Sequence, residues 1–394
     1  MGKPVTDLIH NPYTPPAGFS APQPAVHKAS TVFFKDVATM RARDWRSKSG
    51  YTYGLHGTPT TFMLEERIAS LEGGKHCVLF PSGLAAVAGV GAALLSSGDE
   101  MLIPSNVYGP NRAVAEDEFA RWGITHQVYD SMDCADLEKR IGPKTKLVWL
   151  EAPGSVSMEF PAVDEQARIC KQRGVLTALD NTWAGCIALD GFAIGCDIVV
   201  HALTKYPSGG GDVLMGAAVT QDDALNEKIK LSHMRMGVGV GANDAEMILR
   251  SLPSLPVRYE AQGKAGREIA AWLKQRGEIA QLLHPAFEGS PGHEHWKRLC
   301  GGHAAGLFSV IFAERYSAPL VDRFCDSLKL FKLGYSWGGP VSLVVPYDMS
   351  LIRKPGHWPS RGVKNGVLVR FSIGLEDVDD LRADLEQALM EGLK

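Results

Sequence analysis

One lysine of this chain stands where a charged ammonium group would be costly. Lys205 closely follows the apolar run 198–200 and precedes three consecutive glycines at 209–211. Burial lowers the pKa of an amine, and the neutral amine is a nucleophile that can form a Schiff base with a carbonyl cofactor. Lys205 is therefore a candidate Schiff-base lysine, although lysines near strand ends more often extend into solvent.

Two other groups follow predicted strands and could bind charged parts of a ligand. Ser82, Gly83 and Leu84 join a strand to a helix, where free backbone amides can bind phosphate. The alternative, which the turn alone favours, is an ordinary turn in which Ser82 caps the helix. Asp180 ends a buried strand and could hold a protonated ring nitrogen, or it could equally well be a helix cap.

An aromatic residue and an arginine complete the candidates. Tyr108 follows a predicted strand and could stack on a planar ligand at the sheet edge, although core packing is the commoner role for one tyrosine. The planar fork of Arg370 matches a substrate carboxylate, with an internal ion pair as the alternative. Together, an anion cup, a stacking ring, a carboxylate for a ring nitrogen and a Schiff-base lysine are what pyridoxal 5′-phosphate (PLP) requires.

A mainly parallel sheet is needed to bring these residues together. Strands that are apolar throughout alternate with amphipathic helices, which indicates an α/β fold. The predicted strands are 77–80, 101–103, 147–150 and 175–179, and the helices between them include 84–95, 112–122 and 163–173. The two prolines in 251–256 mark a boundary, after which helices 257–275 and 377–390 and strands 307–312 and 367–373 indicate a smaller α+β unit.

The chain therefore divides into three predicted parts: an N-terminal arm at 1–57, a large PLP-binding domain at 58–251 and a small C-terminal domain at 252–394. The arm cannot build its own core, and its four aromatic residues favour packing on something else. These aromatic residues are Phe33, Phe34, Tyr51 and Tyr53.

Composition excludes several functional classes. A net charge of −3 without any basic run argues against nucleic-acid binding. No stretch of about 18 apolar residues could span a membrane. The seven scattered cysteines form no CxxC pair, which indicates free thiols in a reducing cytoplasm. His293 and His295 lie in a predicted loop without a third ligand at motif spacing, so no metal site is expected.

From about Tyr51 to its C-terminus the chain resembles the Cys/Met-metabolism family of fold-type I PLP enzymes, and within that family the bacterial cystathionine β-lyases. The segments that carry the resemblance are Tyr51-Thr52-Tyr53, Leu71-Glu72-Gly73-Gly74, Glu151-Ala152-Pro153-Gly154-Ser155-Val156-Ser157-Met158-Glu159, Asp180-Asn181-Thr182-Trp183, Thr204-Lys205-Tyr206, Tyr335-Ser336-Trp337-Gly338-Gly339 and Ile373-Gly374-Leu375-Glu376-Asp377. The fold implied is a fold-type I PLP-dependent transferase fold, with a mainly parallel sheet in the large domain.

The resemblance also implies a role for each candidate residue. Lys205 would form the Schiff base and move the Cα proton, Asp180 would hold the pyridine nitrogen, and Tyr108 would stack on the ring. The phosphate ligands implied are Ser82, Gly83, Leu84 and Thr204, the substrate ligands are Arg370, Ser336 and Trp337, and Tyr53 would reach into the site of a neighbouring subunit. The protein would then be at least a dimer, and the family implies a homotetramer built from dimers.

The reaction implied is β-elimination from cystathionine, which gives homocysteine, pyruvate and ammonia. The γ-lyases usually have Ser-Pro-x-Asn-Pro where this chain has the run from Ala152 to Val156, and leucine in place of Trp337. The alternatives are a cystathionine γ-lyase, a cysteine or cystine desulfhydrase, and a PLP-bound regulatory protein with low turnover.

The chain departs from the family pattern at several phosphate contacts. Leu55 replaces an arginine that grips the phosphate across the interface, Ala202 replaces a serine, and Gly210 replaces a histidine. Weaker PLP retention is therefore expected, with His56 as a partial substitute. Val341 replaces a usual glutamate, a difference that bears on substrate preference rather than on reaction class.

Overall fold

Most of the predicted site residues lie at one edge of a sheet, where the carboxyl ends of its parallel strands meet. A computed structural model describes residues 6, 17–19, 21–45, 48, 50–353 and 358–394. Residues 1–5 and 7–16 of the predicted arm lie outside this range. Within the described residues the larger sheet contains β1 (His76–Phe80), β2 (Glu100–Pro104), β3 (Thr125–Tyr129), β4 (Thr145–Glu151), β5 (Leu176–Asp180), β6 (Ile198–Ala202) and β7 (Gly216–Thr220).

This sheet is mainly parallel, as predicted. Its spatial order is β1-β7-β6-β5-β4-β2-β3, with β6, β5, β4, β2 and β3 parallel to one another. The last strand, β7, runs antiparallel to both β1 and β6. The carboxyl ends of β4, β5 and β6 therefore lie side by side at one edge.

Both faces of the sheet are buried, which explains why its strands are apolar throughout. In β4, Val148 and Leu150 pack into the apolar cluster on one face. Leu147 and Trp149 pack into the cluster on the other face. Successive side chains of a strand point to opposite faces, so each face receives every second residue.

The smaller sheet confirms the predicted α+β unit. Among the described residues it consists of β8 (Ile279–Leu283), β9 (Leu307–Phe312), β10 (Lys332–Leu333), β11 (Leu343–Tyr347) and β12 (Leu368–Ser372), in the order β10-β11-β12-β9-β8. All neighbouring pairs are antiparallel except β10 and β11. The two sheets fall on opposite sides of residue 251, while the limits of the arm and of the two domains stay predictions.

Several helices begin after a residue whose side chain caps them. Ser82 caps the helix Gly83–Leu94, because its Oγ accepts a hydrogen bond from the amide of Ala85 at 3.0 Å. The other α-helices of the described residues are Val37–Arg41, Pro59–Glu72, Gly109–Ala113, Cys134–Arg140, Val163–Gln172, Asp223–Met236, Ala242–Ser251, Leu255–Lys274, His293–Leu299, Ala318–Ser327, Met349–Ile352 and Val378–Gly392.

Two local predictions differ from the structure. The predicted helix 112–122 begins earlier, at Gly109, and contains the π-helical segment Val114–Phe119. The predicted boundary segment 251–256 is itself helical, since prolines are tolerated in the first turn of a helix, where no intrahelical N–H bond is required. The predicted loop around His293 and His295 is the start of the helix His293–Leu299.

Two global features of the described chain bear on its class. None of its helices combines the length and the apolar character needed to cross a membrane. All seven cysteines are free, as the sequence predicts.

Candidate functional site

The strand ends bring most of the predicted residues into one cavity of about 140 Å³. Asp180 ends β5 and lies in register with Glu151, which ends β4. Ala202 ends β6, and Lys205 follows it after a short turn. The predicted residues that line the cavity are Ser82, Gly83, Leu84, Tyr108, Asp180, Thr204, Lys205 and Trp337.

Lys205 lies among neutral groups, a second cation and one carboxyl group. Its Nζ donates a hydrogen bond to Ser336 Oγ at 2.7 Å and lies 4.4 Å from the centroid of the Trp337 ring. Ser336 has a φ of 105°, a strained conformation for a non-glycine residue that often marks functional sites. Burial and the charge of Arg370 lower the pKa of Lys205 to about 8, against an opposing effect of Asp180. Lys205 is therefore partly a neutral amine near neutral pH.

The helix that begins at Gly83 forms the predicted anion cup. No described residue accepts a hydrogen bond from the amides of Gly83 and Leu84. A Cβ added at Gly83 would lie 2.6 Å from the Cβ of Ala202, so only glycine lets the helix start approach the end of β6 this closely. Free amides at a helix N-terminus are the usual ligands of a phosphate group.

The hydroxyl of Thr204 is less available to bind a phosphate group than the sequence predicts. Its Oγ1 donates to the carbonyl of Met215 at 3.2 Å and accepts from the Met215 amide at 3.0 Å. To donate to a phosphate, the hydroxyl of Thr204 would have to leave the Met215 carbonyl. The amides of Gly83 and Leu84 are therefore the more available donors.

Two carboxyl groups meet at the sheet edge, of which the sequence analysis assigned a role only to Asp180. Asp180 Oδ1 accepts a hydrogen bond from the Thr182 amide at 3.1 Å. Glu151 accepts from the Tyr108 amide at 2.6 Å and from the amide and hydroxyl of Ser155 at 2.9 and 2.5 Å. Glu151 therefore anchors the loops that carry Tyr108 and Ser155.

The ionisation of these two carboxyl groups is linked. Burial raises the pKa of Asp180, and burial together with the nearby Asp180 charge raises the pKa of Glu151 to about 8. Two neighbouring buried carboxyl groups cannot both ionise easily. A positive ring nitrogen beside Asp180 would favour the ionised form of Asp180 and the protonated form of Glu151.

Arg370 is a buried cation without an acidic partner among the described residues. Its side chain donates from Nη1 to the Ser155 carbonyl at 2.9 Å, and the residue is only 4% exposed. Its Cζ lies 5.1 Å from the ring centroid of Trp337 and 5.1 Å from that of Tyr347. A buried cation that lacks a protein carboxylate favours binding of an anionic ligand.

Tyr108 keeps its proton in this environment. Burial raises the pKa of its phenol, and the nearby Asp180 and Glu151 raise it further, while Arg370 opposes them. The backbone of Tyr108 is fixed by the hydrogen bond to Glu151 described above. A neutral phenol ring at this edge can stack on a planar ligand and can donate a proton.

Tyr53 and His56 do not line this cavity. Tyr53 is 48% exposed and forms an isolated β-bridge with Thr31. His56 Nδ1 lies 2.7 Å from Thr52 Oγ1, and His56 lines a different pocket together with Leu55. A contribution of either residue to the site of another subunit stays a prediction.

A second polar cluster lies outside the cavity, formed by Glu72, Cys186 and His201. Each residue offers one potential metal-ligand atom, and these atoms lie within 4.8 Å of one another. His201 Nε2 is 2.7 Å from Glu72 Oε2, while Cys186 Sγ is 3.9 and 3.6 Å from His201 Nδ1 and Nε2. Because the sulfur is almost equidistant from both ring nitrogens, it does not lie in the direction of the Nε2 lone pair, and the two atoms are not placed to bind one metal ion. We therefore interpret the cluster as a buried ion pair next to a thiol.

The residues of the cavity fit PLP. Unpaired amides are available for its phosphate, a carboxyl group for its ring nitrogen, a lysine of lowered pKa for its aldehyde and a tyrosine for its ring. No individual role was predicted from the sequence for Glu151, Ser155 or Tyr347. Glu151 could have been found, since it ends an apolar strand in the same way as Asp180.

Comparisons with known proteins agree with the interpretation of the cavity as a PLP site. The family model described as "Cys/Met metabolism PLP-dependent enzyme" matches residues 5–390. The cystathionine β-lyase of Bordetella avium is 35% identical over 381 residues, which cover 96% of this chain and 94% of that protein. The cystathionine β-lyase MetC of Escherichia coli is 35% identical over 368 residues, covering 92% and 91%. The crystal structure of metB from Corynebacterium glutamicum covers 99% of this chain and 98% of its own, with a TM-score of 0.89 and 29% identity, and it supports the expected fold-type I architecture.

Proposed function

Because this chain belongs to the Cys/Met-metabolism family of PLP-dependent enzymes, we propose that it is a carbon–sulfur β-lyase that cleaves L-cystathionine to homocysteine, pyruvate and ammonia. The relatives named above support the substrate class. The observation that carries the proposal is Trp337, whose ring contacts both Lys205 and Arg370 at a position where γ-lyases usually have leucine.

When bound, PLP supplies an electron sink for the charge that develops on the substrate Cα. The residues of the chain supply the rest. Lys205 is the attachment point of the cofactor, and its Nζ, whose lowered pKa increases the fraction of neutral amine, accepts and holds the Cα proton. Ser336 orients that Nζ through the hydrogen bond at 2.7 Å.

Three other residues position the reacting groups. Arg370 binds the α-carboxylate of the substrate with the N–H groups that the Ser155 carbonyl leaves free. With PLP bound, the Asp180 carboxylate would accept a hydrogen bond from the N–H of the ring nitrogen. Tyr108 would stack on the ring, and its neutral phenol would donate a proton to the departing thiolate.

The proposed assembly is at least a dimer, in which Tyr53 of one subunit reaches the cavity of its neighbour. The exposure of Tyr53 outside its own cavity supports this arrangement, and a tetramer built from such dimers rests on the family resemblance. The free cysteines support a cytoplasmic location. Weak retention of PLP, with Leu55 in place of the usual arginine, stays a prediction.

Identifying the keto acid tests the proposed reaction. The purified enzyme with PLP is expected to release pyruvate and homocysteine in equal amounts from L-cystathionine, and to act more slowly on cystine and cysteine. Release of 2-oxobutyrate would instead indicate γ-elimination. Pyruvate release from cystine or cysteine but not from cystathionine would indicate a desulfhydrase. A PLP-loaded protein that releases no keto acid would indicate a binding role.

The pH dependence of PLP uptake tests the state of Lys205. Only the neutral amine attacks an aldehyde, so the rate at which the apoprotein takes up PLP is expected to rise with pH and to level off above the pKa of about 8. Absorbance changes of the cofactor after mixing give the rate at each pH. Removal of the neighbouring charge in Arg370→Leu should move the midpoint upward, whereas a wild-type midpoint near 10.5, the ordinary lysine value, would contradict the expected environment.

A further inference from the structure

The Arg370 guanidinium lacks a protein counter-charge. It is 4% exposed, it forms no ion pair with a described residue, and its hydrogen-bond partner is the neutral carbonyl of Ser155. Removing a cation from water without an anion beside it is costly. Other groups must therefore stabilise the guanidinium before a substrate arrives.

Two aromatic rings contact this guanidinium. The rings of Trp337 and Tyr347 each have their centroid 5.1 Å from Arg370 Cζ, within the roughly 6 Å at which a ring face attracts a cation. The centroid of the Trp337 ring also lies 4.4 Å from Lys205 Nζ, so this ring contacts two cations. Among the described residues, Arg370 is the cation that the Tyr347 ring contacts.

The register of the small sheet explains why Tyr347 reaches Arg370. In the antiparallel pair of β11 and β12, Arg370 lies opposite Val345, and Tyr347 lies opposite Leu368. Tyr347 is two residues from Val345 and therefore on the same face as Arg370, as its diagonal neighbour. The backbone fixes this contact independently of any ligand.

We propose that Tyr347 is a positioning residue whose ring holds the Arg370 guanidinium in place for the α-carboxylate of the substrate. This inference rests on the proposed role of Arg370 in binding an amino-acid substrate. A carboxylate in place of the ring would occupy the same N–H groups that the substrate needs. An aromatic ring stabilises the cation through its face and leaves those N–H groups free.

The Tyr347 side chain stays neutral, as this role requires. Burial raises the pKa of its phenol, and the nearby Tyr335 and Tyr108 also raise it, while Arg370 opposes them. Tyr335 is 81% exposed, and its ring centroid lies 6.4 Å from that of Tyr347. Tyr347 therefore contributes a ring face to Arg370 and no negative charge.

A comparison of two ligands tests the proposal without turnover. L-alanine carries the α-carboxylate but no leaving thiol, and ethylamine is the same amine without the carboxylate. Dissociation constants of both for the PLP-loaded enzyme are measured from the absorbance of the bound cofactor, with wild type, Tyr347→Leu and Tyr347→Phe. Tyr316→Leu is the matched control, because it removes another tyrosine ring of the small domain that contacts an arginine, Arg315, at 4.7 Å.

Tyr347→Leu is expected to weaken L-alanine binding by roughly three- to thirtyfold, the range of one ring–cation contact, and to change ethylamine binding by less than about twofold. Tyr347→Phe keeps the ring and should restore most of the L-alanine affinity, while Tyr316→Leu should match the wild type. In steady state, KM for cystathionine should rise in Tyr347→Leu with little change in kcat.

The outcomes separate this inference from the proposed function. Wild-type enzyme that binds L-alanine no better than ethylamine would overturn the proposed carboxylate role of Arg370 itself. Wild type that prefers L-alanine, together with Tyr347→Leu that keeps the full preference, would overturn only the role of Tyr347. Equal weakening of both ligands, or a Tyr347→Phe variant as weak as Tyr347→Leu, would also contradict the role of the ring.

Discussion

Replacement of Lys205 by alanine is expected to lower pyruvate release from cystathionine by at least about a thousandfold. A positioned general base alone contributes roughly 10²–10⁴-fold, and this variant also loses the attachment point of the cofactor. The structure supports both losses, since Lys205 Nζ is held by Ser336 at 2.7 Å and has a pKa of about 8. A coupled assay for pyruvate over long incubation gives the residual rate.

Two controls distinguish lost chemistry from lost folding. Lys75 is exposed, pairs with Asp223 at 2.6 Å and does not line the cavity, so Lys75→Ala should retain the wild-type rate. Added methylamine should partly restore pyruvate release by Lys205→Ala, because a small amine can enter the space left by the side chain. A Lys205→Ala enzyme that retains more than about a tenth of the wild-type rate would refute the assignment, since a general base contributes more than that.

The positions of the main site residues could be predicted from the sequence because each of them lies at or just after the end of a recognisable strand. Asp180 ends one largely apolar strand and Lys205 follows another after a short turn, and such strands imply a parallel sheet with both faces buried. Parallel strands place their carboxyl ends at one edge, so the convergence of these residues follows from the topology alone.

Contacts that depend on the small sheet could not be predicted in the same way. No strand was predicted at β11, where Pro346 interrupts the apolar pattern of Leu343–Tyr347. Without that strand there was no register to place Tyr347 beside Arg370. The absence of an acidic partner for Arg370 is likewise a three-dimensional fact that no local pattern encodes.

The short strand β7 next to the site could not be predicted from the sequence either. The antiparallel strand β7 is rich in glycine and alanine, and residues 216–220 lack the large apolar side chains that identify a buried strand. Its backbone nevertheless continues the sheet between β1 and β6, and Met215 just before it binds the Thr204 hydroxyl. The availability of Thr204 for phosphate could therefore be judged only from the structure.

Replacement of Asp180 by asparagine is expected to lower kcat/KM by at least about a hundredfold. Loss of one partner of a buried ion pair costs about 3–5 kcal/mol, and each 1.36 kcal/mol of barrier is tenfold in rate. Asparagine has nearly the same shape and can still accept the Thr182 amide that Asp180 accepts at 3.1 Å. The change therefore removes the negative charge beside the ring nitrogen and leaves the local fold intact.

Glu151 provides the matched control and a second readout. With Asp180 neutral, Glu151 loses a charge that raises its pKa, so in Asp180→Asn the pKa of Glu151 should fall from about 8. Its carboxyl group remains bound to the Tyr108 amide and to Ser155, one strand away, and does not replace Asp180. Glu151→Gln keeps the Asp180 charge and should lose no more than about tenfold in activity, through a displaced Tyr108 loop. Equal losses in Glu151→Gln and Asp180→Asn would show that the two carboxyl groups act as one unit, and would contradict a distinct role of Asp180 at the ring nitrogen.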